Sequence, residues 1–296
     1  MNIKELSGCH SGEAVSFKAV LADKKLTAKA GGGNFLSITL CDKDGRLSTP
    51  VFDNVDNLND KLEIGSAYLV KGLINIWNGT TQVKNIAFRK LEEGEYNPTE
   101  FISCYEVPKR LVTFFVDTVD SLSEPWRTIC RRAVGMDGSP DRWKAFITCP
   151  SAEKHHGNRI GGLFLHTLGV MTHAVNSYNV YTKINMYGDI NNVINKDRLI
   201  CKAILHDIKK VDEYEYETVI RRKPGVIGHL IDGVTYLNEI NAECGSILTR
   251  EQVEDLTYAI LSHHGQYGPY EPKTAEDVIL HLADMADAKL VGELEK

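Results

Sequence analysis

The chain has 296 residues, of which 43% are hydrophobic and 25% charged, and a formal net charge of −6. Such values exclude a disordered, collagen-like or low-complexity chain, and at roughly 100–200 residues per domain the length predicts two domains. No run approaches the ~18 apolar residues of a membrane span. The segment Met1 to Ala14 lacks the basic-then-apolar pattern of a signal peptide, so the expectation is a cytoplasmic protein with no membrane partner. The seven cysteines are scattered, with no C-x-x-C pair. They read as reduced thiols rather than a disulfide framework or zinc finger.

The charge is unevenly spread. Residues 1–90 carry 12 Lys and Arg against 9 Asp and Glu, while residues 91–296 carry 22 against 31. The first part tolerates a polyanion, and the second concentrates carboxylates that are able to hold metal. An excess this small is also what ordinary surface variation produces.

From Ala14 to Leu91 apolar and polar residues alternate. Val15, Phe17 and Ala19 share one face, Phe35 to Leu40 reads FLSITL, and Ala67 to Trp77 and Gln82 to Phe88 continue the period of two. Turn residues separate the runs, among them Gly31 to Gly33, Asp42 to Gly45, Gly65-Ser66 and Asn78-Gly79. Asn-Gly suits a two-residue hairpin because both central residues accept positive φ. About five short strands in some 80 residues predict an antiparallel barrel of the OB-fold type over residues 1–91. Such barrels hold single strands in a basic groove with stacking aromatics. Phe52 and Trp77, each ending an apolar run beside turn residues, and Lys84 are the candidate contacts. The competing use of any such ring is to fill the barrel.

Residues 92–102 form a short acidic connector with Gly94 and Pro98, and the pattern then becomes helical. One helix over Glu106 to Val119 would place Val107, Leu111, Phe114 and Phe115 together, and another starts at Pro125. Further helices are predicted over 163–181, 197–212, 229–244, 250–263 and 274–290, with a loop or small hairpin over 215–228. The domain over 103–296 is therefore expected to be nearly all helical.

Polar residues interrupt the apolar stretches of these helices. They are His166, His206-Asp207, His229, His263-His264 and Asp284. A lone histidine on an apolar face is commonly a satisfied core residue. Aspartate, however, is almost never buried unless paired or bound to metal. So many imidazole and carboxylate insertions in one domain are best explained by a shared metal centre. Asp287, three residues after Asp284, shares its helix face and competes with it for the last position. Lys210, one turn after His206, is placed to face the same site, where its charge would offset a phosphate. Its alternative is a solvated surface lysine.

The order of these residues resembles the HD-domain phosphohydrolases, whose pattern is a first His, a His-Asp pair, further histidines and a final Asp. The resemblance implies that His166, His206, Asp207 and Asp284 hold one ion, with His229 and His263 adding a second. It implies that Asp207 bridges the two, and that His264 is a ligand or touches a phosphate. Leu282-Ala283-Asp284 favours Asp284 as the final ligand. His206-Asp207-Ile208-Lys209-Lys210 departs from the family's H-D-x-G-K at Lys209 and keeps the lysine at Lys210. An OB-fold followed by an HD domain is similar to the YhaM-type 3′-5′ exoribonucleases of bacteria. GGGNFLSITLCDKDGRLSTPVFD, KHHGNRIGGLFLHTLGVM and ILSHHGQYGPYEPKTAEDVILHLADMADAK carry that likeness.

The resemblance implies a metal-dependent exonuclease acting on single-stranded RNA, with two divalent ions per chain. Manganese is favoured, and iron, cobalt, nickel and zinc also suit nitrogen and oxygen ligands. Such ions polarise a phosphoryl oxygen and lower the pKa of a water, which is the chemistry of phosphodiester hydrolysis to nucleoside 5′-monophosphates. Arg221, Arg222, His156 and Arg159 are candidate contacts to the strand near the centre, although a solvated loop explains the arginine pair equally well. His173 and His281 read as structural. Discrimination of RNA from DNA stays open at this stage. The alternative function is a phosphodiesterase for cyclic or small nucleotides, in which the barrel serves as a lid or mediates homo-oligomers.

Overall fold

The computed structural model describes residues 1–29, 32–153, 157–186 and 188–295. They form two compact units: Met1–Cys104 with Tyr216–Ile220, and Tyr105–Glu215 with Arg221–Lys296.

The first unit is a five-stranded antiparallel barrel with β1 Ala14–Ala28, β2 Asn34–Asp42, β3 Gly45–Val51, β4 Ala67–Trp77 and β5 Thr80–Lys90. The strand order is β3-β2-β1-β4-β5, and a short helix, α1 Val55–Lys61, lies between β3 and β4 in the chain. This is the OB-fold arrangement. β1 is long because it serves two neighbours: its first half pairs with β4 and its second half with β2. The two ends of the order meet through one side chain. Thr49 Oγ1 of β3 donates to the Val83 carbonyl at 2.8 Å and accepts from the Val83 N–H at 3.1 Å.

The alternation buries Val15, Phe17, Ala19 and Leu21 with Leu36, Ile38, Leu40, Leu47, Val70 and Ile74 in one core. Asn78 and Gly79 both take positive φ at the β4–β5 turn, as the hairpin requires. Residues after β5 stay against this unit. Lys18 Nζ bonds the Glu95 carbonyl and Glu100 Oε1, and Asn97 caps the turn Pro98–Glu100.

The second unit is helical: α2 Lys109–Asp120, α3 Trp126–Val134, α4 Pro140–Thr148, α5 Gly162–Ile184, α6 Lys196–Leu205, α7 Lys210–Glu213, α8 His229–Glu243, α9 Arg250–Ser262 and α10 Ala275–Leu294. Between α7 and α8 a two-residue ladder pairs β6 Tyr214–Glu215 with β7 Arg221–Arg222. Three sequence expectations change. The helix predicted over 197–212 stops at Leu205 and resumes at Lys210, although no Gly or Pro marks the break. α4 is an additional helix. Phe114 is 49% exposed while Phe115 is fully buried against Phe146 and Phe164, because adjacent helical residues point about 100° apart.

β5 bulges opposite Gly72: Lys71 pairs with Ala87 and Leu73 with Lys84, so Asn85 and Ile86 share one partner. A Cβ on Gly72 would lie 2.4 Å from Val83 Cγ1 and 2.9 Å from the Lys84 carbonyl oxygen. Gly72→Ala is therefore expected to destabilise the barrel by about 1–3 kcal/mol through overpacking. That exceeds the ~0.5–1 kcal/mol that removing a strand glycine returns. The fall in denaturant midpoint measures it, and a higher midpoint would refute the close approach.

Candidate metal centre

The second unit brings all seven predicted ligands together. His166 lies in α5, His206 and Asp207 in the turn that ends α6, and His229 opens α8. His263 and His264 follow α9, and Asp284 lies in α10. Their donor atoms fall into two groups: His166, His206 and Asp284, and Asp207, His229, His263 and His264.

Asp207 joins the two groups. Its side chain is 2% exposed, and its two oxygens face different ways. Oδ2 lies 3.4 Å from His166 Nε2, 3.3 Å from His206 Nε2 and 2.6 Å from Lys210 Nζ. Oδ1 lies 3.3 Å from His229 Nε2 and 3.6 Å from His263 Nε2. Asp284 Oδ1 approaches His166 Nε2 at 3.1 Å.

The opposite edges of the rings are held by the fold. Asp287 Oδ2 takes His166 Nδ1 at 2.7 Å, and the Ala203 carbonyl takes His206 Nδ1 at 2.8 Å. The Ile260 carbonyl takes His263 Nδ1 at 2.7 Å, and Glu213 Oε2 takes His229 Nδ1 at 2.7 Å. With each Nδ1 taken, each Nε2 is turned toward the centre, which is how metal-binding imidazoles are set. Sequence reasoning missed Glu213 and placed Asp287 only as a rival of Asp284. An orienting partner reaches across the fold and leaves no spacing to read.

The electrostatics match. Burial works against a charge on His166, but bonds to Asp207, Asp284 and Asp287 outweigh it and lift its pKa well above the ordinary value, so a cation would bind there by displacing the Nε2 proton. Burial also opposes the charge on Asp207, yet Lys210 and His206 hold its pKa well below the carboxylate range. His264 is pushed down to about 3 by burial and by its neighbour His263, so it is neutral and able to ligate. Asp207 Oδ1, His229 Nε2 and His263 Nε2 are buried and make no hydrogen bond within the chain. Leaving such atoms unpaired costs about 1–3 kcal/mol each. A carboxylate oxygen and two imidazole nitrogens aimed at one point form a donor set for a divalent cation, so the residues fit the metal their pattern implies.

The remaining candidates are dispersed. Lys210 is mostly buried and pairs with Asp207 instead of facing solvent. Arg222 Nε binds Glu213 Oε1 at 2.8 Å, the carboxylate that also holds His229. Arg221 pairs with Glu215. Arg159 binds Glu295 at 3.2 Å and lies over the Tyr105 ring. His156 lies outside the described residues. His281, expected to be structural, donates from Nδ1 to the His263 carbonyl at 2.7 Å.

In the barrel, Phe52 and Lys84 line one cleft of about 390 Å³ with Asp53, Asn54 and Asn85. Phe52 is 56% exposed, stacks near Phe35 at 5.5 Å and has Lys29 Nζ 5.1 Å above its ring. Trp77 is 64% exposed at the β4–β5 hairpin and is not among the residues lining that cleft.

Residues 163–289 match the family described as HD domain. The chain is 26% identical over 300 residues to a 3′-5′ exoribonuclease YhaM of Listeria innocua, covering 97% of this chain and 89% of that protein. A dihydroneopterin 2′,3′-cyclic phosphate phosphodiesterase of Methanocaldococcus jannaschii is 30% identical over 141 residues, covering 48% of this chain and 52% of that one. The barrel also has a slight likeness to the solution structure of a replication factor A related protein from Methanobacterium thermoautotrophicum. The TM-score is 0.25 and the identity 13%, covering 31% of this chain and 92% of that one. The helical unit holds an HD domain, and the chain is a metal-dependent hydrolase of the nuclease and phosphohydrolase kind.

Asp287 reaches His166 by passing over Gly169 of α5. A Cβ there would lie 1.9 Å from Asp287 Oδ1. Gly169→Ala is expected to swing Asp287 off His166 and to lower metal affinity by about 10–100-fold, the usual effect of losing an orienting partner. The helix itself gains up to about 1 kcal/mol from the substitution, so the fold survives. Calorimetric titration with Mn²⁺ checks this; unchanged affinity would show that Asp287 does not set the ring.

Proposed function

We propose that this chain is a cytoplasmic 3′-5′ exonuclease that shortens single-stranded RNA to nucleoside 5′-monophosphates. The observation that carries the reading is Asp207, a buried carboxylate whose two oxygens each face a separate set of ligand-type side chains. His166, His206, Asp207 and Asp284 would hold one divalent ion, and Asp207, His229, His263 and His264 a second. Manganese is the first choice for both. The ions supply Lewis-acid polarisation of the phosphoryl group and a nucleophile at neutral pH.

The chain's own residues do the rest. Glu213, Asp287 and the Ala203 and Ile260 carbonyls keep the imidazoles in one tautomer and orientation. Lys210 keeps Asp207 ionised and leaves positive charge beside the place where a phosphate would sit. In the barrel, Phe52 offers a stacking face and Lys84 and Lys29 offer charge to the backbone. Trp77 is a second stacking platform at the hairpin. Arg159, Arg221, Arg222 and His156 are assigned to the strand near the centre. For the three arginines, phosphate would have to compete with the carboxylates that now hold them.

Similarity to the exoribonuclease extends through the barrel, whereas similarity to the cyclic phosphate phosphodiesterase covers about half of the chain. That favours a strand over a small nucleotide. Action on cyclic or small nucleotides, with the barrel joining copies into homo-oligomers, is the second reading.

Labelled RNA and DNA oligonucleotides, incubated with Mn²⁺ and with chelator, test the proposal. Stepwise shortening from the 3′ end of RNA is expected, abolished by chelator. Hydrolysis of small nucleotides with intact oligonucleotides would establish the second reading instead. Asp207→Ala is expected to fold, to lose metal from both positions and to have no activity; retained turnover at normal metal content would remove Asp207 from the centre. Phe52→Ala is expected to weaken strand binding by about 1–3 kcal/mol if a base stacks there. Small phosphodiesters should still be cleaved at an unchanged rate. An unaltered strand affinity would move the stacking role elsewhere.

A further inference from the structure

A second constellation of charge lies in the same unit and takes no part in the proposed chemistry. Lys202 of α6 has a side chain with 0% exposure, enclosed by three carboxylates. Its Nζ lies 2.9 Å from Asp255 Oδ1 of α9, 3.2 Å from Glu276 Oε2 and 2.9 Å from Asp277 Oδ1, the last two in the first turn of α10. Arg198, one turn earlier on α6, holds Glu276 through two bonds of 2.7 and 2.8 Å. Glu276 also accepts the Asn195 N–H at the start of α6, and Asp277 closes a capping box with Thr274.

Stability alone does not account for such a cluster. Taking an ion into the interior costs several kcal/mol, and apolar side chains of similar volume are often as stabilising. What the cluster adds is direction. Apolar contact is non-directional, whereas hydrogen-bonded pairs hold preferred lengths and angles.

The three helices joined here are the ones that carry most of the ligands. The Lys202 carbonyl accepts the His206 N–H at 3.0 Å, one turn along. Asp255 precedes His263 by eight residues on α9, and Asp277 precedes Asp284 by seven on α10. At about 1.5 Å per residue these arms are roughly 10–12 Å of continuous helix. A shift of one helix at the cluster is passed on to its ligand, because a close-packed interior has low compressibility and transmits strain.

We propose that the Lys202 cluster is a clamp that sets the relative positions of α6, α9 and α10, which makes Lys202 and Asp255 positioning residues for the metal centre. The proposal rests on the metal-centre reading of His206, Asp207, His263 and Asp284. The test is Mn²⁺ titration of the full chain, with the melting temperature of the metal-free protein measured alongside.

The variant Lys202→Met/Asp255→Asn/Asp277→Asn removes the ammonium and two carboxylates together, leaving the Arg198–Glu276 pair intact. It is expected to fold with a metal-free melting temperature close to the parent's and to bind Mn²⁺ about tenfold more weakly or worse, the scale of effect seen when ligand-orienting groups are lost. Parental affinity in the folded variant would overturn the clamp. If this variant does not fold, Asp255→Asn decides. It leaves Lys202 two carboxylates and is expected to fold with Mn²⁺ affinity lowered at least twofold. Unchanged affinity there would overturn the proposal. Failure of this mild variant to fold would also overturn it, by showing a fold-determining cluster rather than a positioning one. Asp207→Ala is titrated in parallel: parental Mn²⁺ binding in that variant would sink the metal-centre reading itself, whereas loss there with parental binding in the cluster variant would sink only the clamp.

Discussion

An ionised carboxylate in a protein interior has to be surrounded by compensating charge, and the helical unit is built around that requirement at Asp207. Desolvation opposes its charge, and Lys210 with the imidazoles of His166 and His206 offsets the cost on one oxygen. The other oxygen faces His229 and His263 without a hydrogen bond. To deliver these partners, the long helix α5, the end of α6, the start of α8, the end of α9 and the middle of α10 must converge on one point. Their convergence is a packing problem solved by apolar faces, but its target is electrostatic.

The imidazoles would serve no ligand if their rings turned. Four of them, His166, His206, His229 and His263, therefore carry a second bond on the far nitrogen, to a backbone carbonyl for His206 and His263 and to a carboxylate for His166 and His229. The carbonyl partners come from the residue three positions earlier in the chain, so helical geometry supplies them at no further cost. The carboxylate partners come from elsewhere in the fold. Glu213 is itself neutralised by Arg222, which ties the small β6–β7 ladder to the centre.

Most of the barrel is legible in the sequence because a period of two and turn residues act locally: the Leu36, Ile38, Leu40 face and the Asn78-Gly79 turn follow from residue type alone. The candidate ligand set is legible for a related reason. A charged or imidazole group inside an apolar run is costly to bury, so its presence signals compensation. What stays hidden is made in three dimensions. The break after Leu205 has no Gly or Pro to announce it, and the residues at the break instead take up bonds to the centre, as Lys210 does with Asp207. Phe114 and Phe115 are equally apolar, yet only one of two neighbours on a helix is able to face the core. Glu213 looks like an ordinary surface acid, and Asp287 like a rival ligand, until the partner across the fold is known. Lys202, within CKAIL, carries the same signal as Asp207, read for a cation instead of an anion.

The seam of the barrel has a different character from its other strand junctions. β3 and β5 are each laddered on one side only, and Thr49 spans the gap to Val83 with a single hydroxyl. A ladder fixes spacing at every second residue; one hydroxyl fixes it at one point. The walls of the Phe52 cleft come from the two sides of this seam, Val51 and Phe52 from one and Val83 and Lys84 from the other. If the barrel holds a strand as proposed, the cleft that would have to admit bases of unequal size lies on its least laddered junction. Opening it there would break the two Thr49 bonds and leave every strand register in place.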